Sequence, residues 1–471
     1  MRATRILTSA LAACLTLLAC AANAAGTGAE TPESVRAEAR DIFQTLIAFQ
    51  TVAGRGQVPL MAKYLAGRFQ AGGFAEQDIE ILPHGETASL VVRYRGADRA
   101  AKPIVFLAHM DVVEANPADW QRDPFTLVEE NGYFYGRGTA DIKLEVALLT
   151  TTFLRLKAEG FVPSRDLVIA FSGDEETAMD TAGDLATLLK GAEFALNGDG
   201  GQGVLNDVTG KPEVYYLQGA EKYYASFDLT TRNPGGHSSQ PRADNAIYEL
   251  ADALESLKSY RFPVMWNDWT IGSFRESAKV TPGPLGEAMA QFAADPHDTA
   301  AADVLSANPQ QVGKVRTTCV ATMLKGGHAE NALPQSATAT VNCRVFPGVK
   351  VEDVEATLQR LAGDKVEVTQ VGTARPSDPS PMRPDVVAAV TAAVHAAYPG
   401  VPIVPEMAAY ATDGSRFRAS GIPTYGVSSL FIKGSDEFSH GLNERIPVAS
   451  FYAGLEYWYV IVTTLAGKPG Y

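Results

Sequence analysis

Two histidines and a set of carboxylates stand where strand-like runs give way to loops, a placement suited to metal-assisted hydrolysis. His109-Met110-Asp111 follows the apolar run 104–108, so an imidazole sits at a strand's carboxyl end, with a carboxylate two residues on to orient the ring. Alone, a His-x-Asp reads better as a structural histidine than as a metal ligand. In Tyr135-Gly136-Arg137-Gly138-Thr139-Ala140-Asp141, glycines on both sides of Arg137 imply a tight turn that aims the acid; the plainer alternative is that Asp141 caps the next helix. Ser172-Gly173-Asp174-Glu175-Glu176 sets three acids in succession after the apolar run 167–171, and like charges that close repel unless cations or shared protons offset them. Asp199 stands alone among glycines in Leu196-Asn197-Gly198-Asp199-Gly200-Gly201. His440, in Phe438-Ser439-His440-Gly441-Leu442-Asn443-Glu444-Arg445, precedes the closing helical run. The chain has only seven histidines, so two of them at strand ends carry weight.

The elements that must position these residues alternate. Helical periodicity runs over 32–49 and 57–71; strands are expected at 104–108, 166–172 and 194–197, and helices at 141–159 and 181–190. That rhythm predicts an α/β fold with a largely parallel sheet, whose ligand crevice lies beyond the carboxyl ends of the strands. Near residue 217 the rhythm changes to an α+β pattern: a strand at 223–231, a helix at 245–259, and two cysteine-bearing strands at 314–323 and 337–346. The stretch 262–311 shows no clear pattern and reads as an insertion. The αβ alternation returns with a helix at 384–398, a strand at 424–428 and a helix at 447–466. The expected organisation is one domain in two parts, 25–217 and 371–471, interrupted by a smaller α+β domain at 218–370.

A chain of 471 residues, 46% hydrophobic, has room for two cores, and its net charge of −14 disfavours nucleic acid and anionic membranes as partners. Residues 1–24 read as a signal peptide: Arg2 and Arg5, an apolar run too short to span a bilayer, then Ala22-Asn23-Ala24 for cleavage. Export to a bacterial periplasm follows, with Leu17-Leu18-Ala19-Cys20 offering lipid anchoring at Cys20 as the alternative. Beyond the leader only Cys319 and Cys343 remain; antiparallel pairing of their strands would put a disulfide within reach, and two buried thiols are the equal alternative.

Taken together, these motifs resemble the co-catalytic di-zinc hydrolases that include aminoacylase, glutamate carboxypeptidase, carnosinase and succinyl-diaminopimelate desuccinylase. The similarity covers nearly the whole mature chain, and the wording of 120–143 is nearest the carboxypeptidase and dipeptidase branch. The resemblance implies a zinc-peptidase-like catalytic domain interrupted by a lid or dimerisation domain. It implies that Asp141 bridges two Zn2+ ions, which Mn2+ or Co2+ could replace, that His109 and Asp199 complete one site, and that Glu176 and His440 complete the other. Glu175 matches the general base and Asp111 the partner of His109. His237, in Asn233-Pro234-Gly235-Gly236-His237-Ser238-Ser239, matches a lid histidine that stabilises the oxyanion, often across a homodimer, although a turn residue would look the same. Asn331 and Arg344 match substrate-holding positions, Arg344 suiting a carboxylate, and Thr412-Asp413-Gly414-Ser415-Arg416 resembles a substrate-contacting loop. His328 stands where the family usually has a small residue.

Three functions are therefore in play. The first is a dipeptidase or carboxypeptidase acting on small peptides, and the second a deacylase of N-acyl amino acids. The third is a non-catalytic periplasmic binding protein that keeps the fold.

Overall fold

The computed structural model describes residues 31–467, so the 1–24 leader and Cys20 lie outside the described residues. Strands Ile104–His109, Leu167–Ser172 and Phe194–Asn197 are buried along their whole length. A strand without a polar side must be covered on both faces. One face, through Phe106, Ile169 and Leu196, packs against helices Glu33–Ala48, Lys143–Ala158, Pro384–Ala397 and Val448–Leu465. The other, through Val105, Leu107, Val168 and Ala170, is covered by Leu185 and Ala186 of Asp180–Leu188 and by Phe417 of Gly414–Ala419. Lys143–Ala158 is buried around nearly its whole circumference because it lies between the sheet and the outer helices Glu33–Ala48 and Val448–Leu465.

The large sheet has ten strands and is mixed. Its centre, in the order Leu167–Ser172, Ile104–His109, Phe194–Asn197, Thr424–Gly426, is parallel throughout. Antiparallel strands Ile79–His84 and Thr87–Tyr94 extend one side, and Pro212–Glu221 with its neighbours extends the other. Parallel pairing brings His109 opposite Ser172 and Leu107 opposite Asn197, so the loops that follow emerge on a single edge.

A second, four-stranded antiparallel sheet joins Thr318–Gly326, Ser336–Val345, Tyr223–Arg232 and Val366–Val371 in that order. Helices Ala246–Ser259 and Val351–Ala362 close a separate core with it, through Leu250, Leu358 and Val341. Cys319 and Cys343 face each other in register and form a disulfide, which resolves the choice left open by spacing alone.

The stretch 262–311, featureless by periodicity, folds into helices Asp268–Ser277, Gly283–Ala294 and Thr299–Ala307 around Phe274, Met289, Phe292 and Leu305. It packs on strand Ile403–Ala408 of the large sheet, and its buried Trp269 donates Nε1–H to the Ser380 carbonyl at 2.7 Å. Among the described residues no helix is long and apolar enough to cross a membrane.

The turn leaving Phe194–Asn197 depends on Gly201, whose φ is +62° and whose absent Cβ would stand 2.4 Å from the Gly426 carbonyl oxygen and 2.6 Å from that of Tyr216. Gly201→Ala is expected to cost more than about 1 kcal/mol through left-handed strain and backbone overlap. Chemical denaturation with an unchanged midpoint would show that the turn can relax.

Candidate metal centre

His109 ends its strand fully buried, and its Nδ1–H donates to the backbone carbonyl of Asp111 at 3.0 Å. This bond turns Nε2 toward Asp141 Oδ1, 3.0 Å away, and toward Asp199 Oδ2 at 4.0 Å. The other oxygen of Asp141, Oδ2, lies 3.1 Å from His440 Nε2, which is also 3.0 Å from Glu176 Oε2. Asp141 thus offers one oxygen to each histidine. His109, Asp141 and Glu176 form one group with ligand atoms close enough to hold an ion, and His109, Glu175 and Asp199 form another. The five positions expected as ligands are therefore gathered at one edge of the sheet.

The supports are less visible in sequence. Asp111 orients His109 by its carbonyl, while its carboxylate, 3.6 Å from the ring, accepts the amide N–H groups of Glu175 at 3.1 Å and Glu176 at 3.0 Å. It thereby fixes the acidic turn as well as the ring. Asp141 does not cap the helix; Lys143–Ala158 starts two residues later. Instead the loop is gripped by Glu444, buried and distant in sequence, which accepts the amides of Gly138 at 3.0 Å, Ala140 at 2.6 Å and Asp141 at 3.1 Å. Arg137 pairs with Glu444 at 2.6 Å and donates to the Gly441 carbonyl at 3.0 Å, tying the loop to the His440 segment. Asn197 accepts the Asp199 amide at 3.1 Å and donates to its carbonyl and to Thr412 Oγ1, each at 3.0 Å. Thr412 leans in turn on Glu221, which pairs with Arg418 at 2.6 Å. Ser172 donates to Asp413 directly behind the site. Acid-amide and acid-arginine pairs hundreds of residues apart leave no periodic trace; the only local signal was the proximity of Glu444 to His440.

Six carboxylates, those of Asp111, Asp141, Glu175, Glu176, Asp199 and Asp413, surround two imidazoles. Burial, followed by the charge of Asp199, pushes Glu175 well above the ordinary carboxylate range. Burial likewise pushes Asp199 well up against the pull of His109, and lifts Asp413 to about 7. Burial opposes charge on His109, yet Asp141 and the neighbouring acids hold its imidazolium well above the usual value. Bonds to Asp141 and then Glu176 lift His440 to about 10. Among the described residues no lysine or arginine lines the cavity in front of these acids. Hard oxygen donors and imidazoles with so little compensating charge fit a site for divalent cations.

That cavity, about 370 Å3, is walled by Asp141, Glu175, Glu176, Asp199, Tyr410 and His440 among others. A second, about 490 Å3, adjoins it across Glu175, Glu176, Tyr410 and His440, and is bordered by Arg344, Arg375 and Arg416. Arg344 is therefore placed beside the acidic centre. His237 and Asn331 line neither cavity: both are exposed, His237 on the strand Gly236–His237 and Asn331 just before its partner Ala332–Leu333, and the Ser238 amide meets the Asn331 carbonyl at 3.1 Å. Gly414, expected to touch substrate, is buried against Glu221, Thr412 and Arg418; its loop neighbours Thr412 and Ser415 line the cavities instead. His328 is exposed and lines neither cavity.

Residues 105–464 match the family described as Peptidase family M20/M25/M40. The N-fatty-acyl-amino acid synthase/hydrolase PM20D1 of Xenopus tropicalis is 31% identical over 76% of this chain and 71% of its own. Aminoacylase-1 of Sus scrofa is 25% identical over 91% of this chain and 95% of its own. In fold, the M20 family metallo-carboxypeptidase Sso-CP2 from Sulfolobus solfataricus superposes with a TM-score of 0.69 at 17% identity, covering 91% of this chain and 99% of that one.

The acids and His440 set a pH dependence for the metal-free protein. Asp413 at about 7 and His440 at about 10 both bind protons more tightly folded than unfolded. Stability is therefore lost as pH rises, through roughly pH 4 to 7 for Asp413 and roughly 6.5 to 10 for His440. Chelated protein is expected to unfold at lower denaturant concentration at pH 8 than at pH 5.5; an equal or higher midpoint at pH 8 would contradict this electrostatic picture.

Proposed function

The chain belongs to peptidase family M20/M25/M40, whose members are metal-dependent hydrolases of amide bonds, and from that membership we propose that it cleaves a small substrate carrying a free carboxylate. The observation that carries the reading is Asp141, with one carboxylate oxygen toward His109 and the other toward His440. His109 and Asp199 would hold one ion and Glu176 and His440 the other, with Asp141 available to both. Two imidazoles and three carboxylates suit Zn2+, with Mn2+ or Co2+ as substitutes. Bound there, the ions polarise the scissile carbonyl and lower the pKa of an attacking water.

The chain's own groups do the rest. Glu175 lies in both cavities, and burial keeps its affinity for a proton high, as a general base needs. It takes the water's proton and returns it to the leaving nitrogen. Asp111 holds Glu175 in place through its amide. Arg344 stacks over the Tyr224 ring at 5.3 Å and has no carboxylate partner among the described residues, so it is available to a substrate carboxylate. The cavity that no lysine or arginine lines among the described residues then receives the acyl side. Dipeptides and C-terminal peptide bonds meet these demands. So do N-acyl amino acids, a second reading favoured by relatives named as N-fatty-acyl-amino acid hydrolase and aminoacylase.

The reading extends to assembly and location. Thr318–Gly326 is an edge strand with Val320, Met323 and Leu324 exposed, beside Ile247 and Tyr248. An exposed apolar edge invites a partner, and a second copy of this chain would cover it. Such a homodimer gives His237 and Asn331 a cleft to serve, that of the other copy. Export of the mature chain to the periplasm, or lipid anchoring at Cys20, rests on the leader's sequence and agrees with the Cys319–Cys343 disulfide.

Glu175→Gln is expected to lower kcat on a cleaved dipeptide or N-acyl amino acid by roughly 10²–10⁴-fold with metal content unchanged; turnover within a few-fold of the parent sinks the assignment of the base. Met323→Glu is expected to yield monomers in sedimentation analysis with most activity lost. A parent protein that sediments as a monomer, yet is fully active, would remove the dimer and with it the role of His237.

A further inference from the structure

The second cavity carries more positive charge than one substrate carboxylate can use. Arg344 reaches it from strand Ser336–Val345, opposite Tyr224 in register. Arg416 enters from helix Gly414–Ala419; its Nε and Nη2 donate to the backbone carbonyls of Met179 at 3.3 Å and Ala178 at 3.1 Å. Those partners are neutral, and Arg416 has no carboxylate within ion-pair distance among the described residues. Met179 holds a left-handed φ of +54°, uncommon for a side chain of its kind, in the turn that braces the guanidinium. Arg375, from the segment returning to the large sheet, borders the same space and is paired with Asp180 at 3.2 Å. Of three guanidinium groups on one cavity, only one is matched by an acidic side chain outside the metal centre.

Resting on the hydrolase reading above, we infer that the amine-side product is an amino acid with a second carboxylate in its side chain, aspartate- or glutamate-like, bound by Arg416 while Arg344 takes the α-carboxylate. A single-carboxylate substrate satisfies Arg344 and leaves Arg416 to be covered by an uncharged side chain. Covering a charged group without a partner is costly, so the cavity selects against apolar and amide side chains as well as for acidic ones. The cavity on the acyl side has no such charge, which confines this selectivity to the leaving group.

The test compares kcat/KM of the full-length mature protein, loaded with Zn2+, on two matched series: Ala-Glu, Ala-Gln and Ala-Leu, and N-acetyl-Glu, N-acetyl-Gln and N-acetyl-Leu. In whichever series is cleaved, Glu is expected to exceed Gln and Leu on the order of tenfold or more, the scale of a hydrogen bond to a charged group. Arg416→Gln is expected to bring the Glu/Gln ratio close to one, and Arg416→Lys, which keeps the charge and tests for a merely structural effect, to retain most of it. Gln or Leu equal to or better than Glu overturns this inference alone, as does an Arg416→Gln variant that slows every substrate by the same factor. No turnover of any substrate, with or without added metal, overturns the hydrolase reading and this inference with it.

Discussion

The constraint on which this architecture rests is the gathering of negative charge at one edge of a buried sheet. A carboxylate away from water needs hydrogen bonds or a counter-charge, and the protein meets that need unevenly. Glu145 accepts from Ser428, Ser429 and the Trp458 indole. Asp174 accepts the amides of Asp180 at 2.9 Å and Thr181 at 3.1 Å. Glu444 has Arg137 and three amides, and Glu221 has Arg418 and Thr412. The acids that face the cavity, Asp141, Glu175, Glu176 and Asp199, have little beyond two histidines. The division between acids that are satisfied and acids that are not is what marks the metal centre, more sharply than any motif.

It also explains which supports must be rigid. A ligand carboxylate is useful only if its loop cannot swing it out into solvent, where its charge would be cheaper. Arg137 and Glu444 close the loop before Asp141 onto the segment carrying His440, so both ends of the shared carboxylate's environment are fixed by one buried pair. The three-stranded sheet of Val128–Glu130, Tyr133–Tyr135 and Arg445–Pro447 secures the same two segments from outside. His440 itself holds a left-handed φ of +63°, a conformation that such clamping sustains.

What was legible in the sequence follows from this physics. The central strands were readable because burial on both faces demands apolar runs, and the loops after them because His109, Glu175 and Asp199 interrupt those runs abruptly. The strand Ser336–Val345, which carries Cys343, alternates in burial, which signals one covered face. The helices within 262–311 were not legible, since short segments pack around a small local core without sustained periodicity. Nor were Arg137, Glu444, Glu221 and Arg418 as supports, because a pair such as Arg137–Glu444 is specified by the fold and not by spacing. Gly414 went astray for a related reason: its loop does approach the cleft, but small size suits it to the space beside Glu221, leaving Thr412 and Ser415 to face the cavities.

The two adjoining cavities give the site a direction. Glu175, Glu176, Tyr410 and His440 border both, so any bond held at the metal centre has one flank in each. On one side no lysine or arginine stands among the described residues; on the other, Arg344 projects from the small sheet. Guanidinium groups face only the second of the two cavities among the described residues. The arginines therefore make the two flanks of the site electrostatically unequal before any side-chain pocket is consulted. Strand Pro212–Glu221 of the large sheet is separated by Lys222 alone from Tyr223–Arg232 of the small one, which places Arg344, opposite Tyr224, only a few residues in space from the crossing. Arg344 and the acids of the metal centre are thus brought near each other where the chain first crosses between the two sheets, at the buried Lys222.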